Sequence, residues 1–392
     1  MVDPATIGTA VVAALASLFM AWAIGAGSSG STPFAPAVGA NAISVMRAGL
    51  VVGVLGFAGA VLQGQSVTEA VGSELIGGVS ISALAATVGL LTAAILVALG
   101  VFKGYPIATA FTVTGAVVGV GLAMGGTPAW AKYRQIVTLW VLTPFIGGGI
   151  AYVTARLLRA DWVPERTLVP ALAGLVGAIV ANIQFALLGG SGGGGSIAGE
   201  IARPIGEGLA LRAGATLAIA ALVATTVAAD ASRDEEGAQR RFLLALGGLV
   251  AFSAGGSQVG LAIGPLVPLL DTFDSIPVFA LLFGGGIGLL AGSWTGAPRM
   301  IKALSQDYSS LGPRRSIAAL IPSFAIAQVA VAFGIPVSFN EIIVSAIVGS
   351  GFAAGGAGVS RKKMLFTVLA WVGSLALSLA VSFGVMTAIG AL

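Results

Sequence analysis

An apolar sequence that returns upon itself at a constant offset of 230 residues most limits how this chain can fold. Gly104-Tyr105-Pro106-Ile107-Ala108-Thr109 comes back as Gly334-Ile335-Pro336-Val337-Ser338-Phe339. Ala116, Val118, Gly119, Gly121 and Ala123 come back as Ala346, Val348, Gly349, Gly351 and Ala353, and further upstream Gly25 falls against Gly255. Gly and Pro interrupt helices, and here they interrupt apolar sequence at matching places in two halves. That pattern points to a membrane carrier with its binding site where the halves meet.

Composition supports the membrane setting. Mean hydropathy is +1.02, with 57% hydrophobic and 9% charged residues, against roughly 25% charged in a soluble domain. The first apolar stretch, Ala5 to Ala23, follows Asp3 and no Lys or Arg. It lacks the basic start of a signal peptide and is expected to be a retained span. The absence of cysteine excludes disulfides, a thiolate metal site and a Cys nucleophile. The absence of histidine leaves carboxylates as the only candidates for a proton relay. A net charge of +4 needs no nucleic acid, because cytoplasmic loops of membrane proteins gather Lys and Arg.

Spans are expected near residues 5–25, 44–64, 80–101, 107–124 and 134–157. Two follow near 167–190 and 207–229, then 241–258, 263–272 with 277–295 as a broken pair, 314–333, 339–356 and 364–391. This divides the chain into a first repeat over 1–158, a middle section with linker over 159–240 and a second repeat over 241–392. Seven crossings before the second repeat is an odd number, so it would insert upside down relative to the first. The expected fold class is an all-α membrane protein of about 10–12 transmembrane helices, in two inverted repeats with broken or re-entrant helices. Gly189 to Ser196 reads as a flexible linker or a natural Gly-rich loop.

Four segments set Gly, Ser or Thr and Pro inside apolar sequence: Gly25 to Gly39, Gly255 to Pro265, Pro106 to Thr114 and Pro336 to Ser345. Backbone groups freed by a broken helix at membrane depth must line a cavity or be covered by protein. A helix N-terminus there is a ready anion site. Ser28, Ser29, Ser31, Thr32, Thr109, Ser257, Gln258, Ser338 and Asn340 supply polar side chains beside those ends and are the candidate substrate-binding residues. The plainer reading of any single Gly or Ser is close helix packing. Matched as a set across the repeats, the four segments favour a site.

The residues resemble the inorganic phosphate transporter family, whose signature Gly-Ala-Asn-Asp-Val-Ala-Asn-Ala occurs once in each half. Phe252 to Pro265 is similar to the second copy without a gap, and Gly25 to Thr32, continuing into Val38-Gly39, to the first. The family's Pro-Val-Ser-Thr-Thr-His segment looks like Pro106 to Phe111 and Pro336 to Glu341; Ser66 to Gly72, Trp140 and Trp371 also fit. The resemblance covers both halves and implies a permease moving a small tetrahedral oxyanion by alternating access. The signature Asp is replaced by Gln258 in the second copy and by Ser28 or Ser29 in the first. The asparagines become Ser257 and Leu261 in the second copy. These changes bear on both phosphate selectivity and sodium coupling. Phosphate near neutral pH carries a proton and wants an acceptor, whereas sulfate is met by donors alone. A site of Ser, Thr, Gln, Asn and backbone N–H groups therefore inclines toward sulfate over phosphate.

Glu341, five residues past Pro336 and at the position of the family's His, is the intramembrane charge to watch. A carboxylate at that depth is costly and marks function by default. It reads as the coupling group for H+ or Na+, or as a residue at a wet helix end. Glu69 and Glu74 read as interfacial, and Arg47 as an anion partner or a snorkelling residue. No further cofactor or metal is implied. The partners are the oxyanion and the lipid bilayer, with a homo-oligomer compatible and the cell membrane the expected location. The alternatives are an anion channel with re-entrant pore loops and an intramembrane lipid-phosphate enzyme, which would need a cluster of catalytic groups that the sequence does not offer. No Gly-x-x-x-x-Gly-Lys-Ser/Thr loop is present for ATP.

Overall fold

The structure, a computed structural model, describes residues 3–185, 188, 195–206, 208–273, 276–308, 310–355 and 359–390. The first run of helices is α1 (Pro4–Gly27), α2 (Ala35–Gly39), α3 (Val45–Gln63), α4 (Gln65–Ser73), α5 (Ala83–Lys103), α6 (Thr109–Ala123) and α7 (Trp130–Leu157). Then come α8 (Glu165–Asn182), α9 (Ile197–Ala202) and α10 (Leu209–Arg233). The last run is α11 (Glu235–Ile263), α12 (Val278–Thr295), α13 (Ala297–Gln306), α14 (Pro313–Ala332), α15 (Phe339–Phe352) and α16 (Arg361–Gly390). Two short antiparallel ladders, Ile76–Gly77 with Thr127–Pro128 and Gln184–Phe185 with Gly195–Ser196, tie loops together. Among the described residues nine helices are long and apolar enough to cross a bilayer. The protein is an integral membrane protein.

The interrupted helices are built alike in the two halves. Each long helix before the break ends on a left-handed glycine, Gly104 at φ 71° and Gly334 at φ 57°. Tyr105 N–H closes back on Gly100 O at 3.0 Å, and Ile335 N–H on Ala330 O at 2.9 Å. A proline follows and forbids continuation. The helices that restart, α6 and α15, have 15 and 14 residues, or about 22 and 21 Å at 1.5 Å per residue. The hydrocarbon core is roughly 30 Å thick, so both begin inside the membrane. The carbonyls of Pro106 and Pro336 are covered reciprocally. Trp371 Nε1–H donates to Pro106 O at 2.8 Å, and Trp140 Nε1–H to Pro336 O at 2.9 Å.

Helix directions show the inversion. Gly288 lies against Leu18 and Ala21, Gly292 against Trp22 and Gly296 against Ala26, so α12 runs parallel to α1. Gly248 lies against Leu55 and Gly256 against Gln63, so α11 runs parallel to α3. Gly286 meets Phe57 and Ala60 while Gly53 meets Trp294, so α3 and its counterpart α12 are antiparallel. By the same chain of directions α1 opposes α11. A side chain at Gly25 would collide with the Leu289 backbone, and one at Gly255 with the Gly56 backbone. These glycines let the halves cross through each other at close quarters.

Several sequence expectations are corrected here. Gly255 to Pro265 does not break the helix at its glycines: α11 runs unbroken to Ile263, and a 3-10 segment follows over Gly264–Thr272. A packed interface tolerates glycine inside a helix, and the chain turns only where Gly264-Pro265 removes a donor. Residues 263–272 are therefore no span of their own. In the first half the chain does leave the helix, at Ser28, and turns before α2. Helices α4 and α13 were not expected. Arg47 is exposed in the first turn of α3, and Glu69 and Glu74 are exposed beyond it. Residues 189–194 of the Gly-rich stretch lie outside the described residues, while Gly195 and Ser196 form a ladder strand.

Candidate functional site

The polar residues of the four segments gather where α1 ends, α11 passes, and α6 and α15 begin. Ser28, Ser31, Thr32, Thr109, Ser257, Gln258, Ser338 and Asn340 are all fully buried, and Ser29 and Glu341 nearly so at 2% exposure. Thr109 Oγ1 donates to Gln258 Oε1 at 3.0 Å and lies 3.5 Å from Ser28 Oγ. Gln258 Nε2 donates to Val337 O at 2.6 Å. Asn340 Nδ2 donates to Gly27 O at 2.9 Å and to Ile107 O at 2.7 Å. These bonds bring Ser28, Thr109, Gln258 and Asn340 into one cluster drawn from both repeats, with Ser338 next to the bonded Val337. The other candidates bond locally. Ser31 and Thr32 hydroxyls return to Ser28 O, and Ser257 Oγ points to Ala254 O at 3.5 Å.

Two helix N-termini reach this cluster. The first intrahelical bonds are Thr112 N–H to Ala108 O and Ile342 N–H to Ser338 O. The N–H groups of Thr109, Ala110 and Phe111, and of Phe339, Asn340 and Glu341, therefore have no helical partner. Neither N-cap side chain satisfies them. Both positive dipole ends thus face buried polar ground. Among the described residues four buried side-chain atoms lack a partner: Thr114 Oγ1, Ser338 Oγ, Asn340 Oδ1 and Glu341 Oε2. Three of the four belong to the first turn of α15 or its cap, and all are oxygens.

This allocation was not legible beforehand. Asn340 commits both amide N–H groups to backbone carbonyls and Gln258 one of its two, which fixes their orientation. The acceptor left unpaired is Asn340 Oδ1. Thr114 closes one of the candidate segments, and an unpartnered buried hydroxyl five residues past Thr109 is what the fold adds to it.

A second polar network lies one turn away along α11. Gln63 and Gln328 face each other from opposite repeats, with Gln63 Nε2 at 3.3 Å from Gln328 Oε1. Gln328 Nε2 donates to Ser253 Oγ at 2.6 Å. The pair lines an open cavity of about 690 Å³. Nothing in the sequence distinguished these glutamines from ordinary interfacial polar residues.

Inverted repeats, helices that restart inside the membrane, and a buried polar cluster at the repeat interface define a polytopic membrane transporter. The family model described as the Phosphate transporter family matches residues 24–382, and the chain belongs to that family. A relative named "Putative phosphate permease" from Thermococcus kodakarensis is 25% identical, over 90% of this chain and 90% of its own length. The chloroplastic inorganic phosphate transporter 2-1 of Arabidopsis thaliana is 25% identical, over 91% of this chain and 68% of its own length. A solved structure titled as the sodium-dependent phosphate transporter superposes with a TM-score of 0.83 at 22% identity, covering 98% of this chain and all of that one. The protein is a transporter by family and not an enzyme.

Proposed function

We propose that this protein is a secondary carrier of inorganic phosphate, working by alternating access, with the anion held at the repeat interface between the starts of α6 and α15. One observation carries the substrate reading. Asn340 uses both its N–H groups, and Gln258 one of its two, on backbone carbonyls, while Asn340 Oδ1 and Glu341 Oε2 have no partners. A protonated oxyanion can donate to such acceptors, and sulfate cannot. The donor-only argument that inclined the sequence toward sulfate therefore loses the Asn340 amide and half of the Gln258 amide. Unpaired backbone N–H groups of both helix ends and the hydroxyls of Ser28 and Ser338 meet the remaining oxygens. Glu341 is the coupling group in this reading, exchanging H+ or Na+ as the carrier turns over.

Isothermal titration of the purified protein with phosphate and with sulfate at neutral pH tests the assignment. Phosphate is expected to bind the more tightly. Ser338→Ala should weaken it by about 1.5–3 kcal/mol, which is roughly ten- to a hundredfold. Tighter sulfate binding, or wild-type phosphate affinity in Ser338→Ala, would overturn it.

A further inference from the structure

Each substrate-facing loop is held by a lysine from the opposite repeat. Lys132, the third residue of α7, donates from Nζ to Gly334 O at 3.0 Å and pairs with Glu74 Oε2 at 2.7 Å. Lys363, the third residue of α16, pairs with Asp307 Oδ2 at 2.8 Å, and its Nζ sits 4.8 Å from the centroid of the Tyr105 ring. The acidic partners are matched as well: Glu74 caps the end of α4, and Asp307 the end of α13. Gly334 and Tyr105 belong to the paired loops that lead into α15 and α6. The two clamps are thus one device built twice.

Because the repeats are inverted, the clamps lie at opposite ends of the molecule. Charge tells the ends apart. Following the helices, four of the 19 Lys and Arg, namely Lys132, Arg134, Arg203 and Arg212, fall at the Lys132 end. The rest fall at the Lys363 end, which the positive-inside bias makes cytoplasmic. The lysine side chains are 10% and 20% exposed while their carboxylate partners are 51% and 43% exposed. An ion pair with one side in water holds weakly, so it can break and reform in each cycle. The neighbouring Trp–Pro bonds are buried and hold the rest of the loop in place.

We propose that Lys132 and Lys363 are positioning residues that act as paired gates, Lys132–Glu74 closing the external face and Lys363–Asp307 the cytoplasmic face. Release of one clamp frees the loop beneath it and opens the central cluster to that side alone. This rests on the reading of the cluster as the transport site.

The chain has no cysteine, so Ser338→Cys creates a single buried reporter thiol. Its labelling by a membrane-impermeant thiol reagent is measured separately from each face of oriented proteoliposomes. In that background Lys132→Met is expected to speed labelling severalfold from the external face only, and Lys363→Met from the cytoplasmic face only. Lys132→Arg, which keeps both a donor for Gly334 O and a cation for Glu74, should keep labelling slow, whereas a role that merely needs a long side chain would leave Lys132→Met equally slow. Acceleration from the same face in both variants, from both faces equally, or from neither, overturns the proposal. Labelling is read without substrate, so the phosphate reading fails separately, by titration of the protein with its serine intact: sided labelling alongside absent phosphate binding there would leave the gates standing and remove the site.

Discussion

Asn340 ties three segments together, and its removal has a cost that can be worked out. Its Nδ2 donates to Gly27 O at the end of α1 and to Ile107 O in the loop before α6. No other hydrogen bond to either carbonyl is present among the described residues outside the regular helices. Asn340→Ala leaves the buried Gly27 carbonyl and the half-buried Ile107 carbonyl unpaired, at about 1–3 kcal/mol for the first and toward the lower end of that range for the second, or about 2–4 kcal/mol together. Water entering the vacated space would bring the loss toward the lower figure. Even that is a sizeable part of the roughly 5–15 kcal/mol that usually separates folded from unfolded protein. Ser350→Ala is the control, since Ser350 is buried in the same helix but its hydroxyl only returns to Ile347 O. It should change stability little beyond loss of one local bond. The assay is denaturant unfolding in detergent, followed by fluorescence of the six tryptophans. An Asn340→Ala loss within about 0.5 kcal/mol of the control, the scatter of an ordinary surface change, would refute the claim that this amide holds the cluster together.

Two further outcomes follow. Glu341→Gln should keep phosphate exchange but lose uphill accumulation driven by a proton or sodium gradient, because exchange never has to cycle the coupling group. Moving one charge against the membrane potential costs about 2.3 kcal/mol per 100 mV, so accumulation at the wild-type level in this variant would place coupling elsewhere. Tyr308, outside the spanning helices, is fully buried with its hydroxyl 2.7 Å from Thr367 Oγ1. Burial raises its pKa above the ordinary phenol value. A raised folded pKa gives stability that is full below about pH 10, the unfolded value, and is lost as pH climbs beyond it. Tyr308→Phe should flatten that alkaline loss, and an unchanged alkaline profile would exclude Tyr308 as its source.

The interrupted pairs α5–α6 and α14–α15 were legible because Gly and Pro recur there at the same offset, and backbone chemistry alone requires a break. The polar residues that meet in the cluster were legible for the same reason, since they flank those breaks. Gly255, Gly256 and Gly260 misled because local propensity cannot tell a glycine that breaks a helix from one that lets another backbone pass. Here α3 and α4 pass close by, and the helix continues. The α13 helix was missed because Arg299, Lys302 and Gln306 make it polar on one side, unlike a span. The Lys132 and Lys363 clamps join a helix start in one repeat to a loop in the other, a pairing that exists only once the halves interlock. The sulfate inclination treated every amide as a free donor; which amide hydrogens a fold commits to its own carbonyls is a tertiary fact.

Counterflow in proteoliposomes loaded with unlabelled phosphate tests the central claim most directly. Labelled phosphate should enter transiently and saturably, be displaced by phosphate outside, and be little affected by an equal concentration of sulfate. No transient, or one that sulfate suppresses more strongly than phosphate does, would contradict a phosphate carrier.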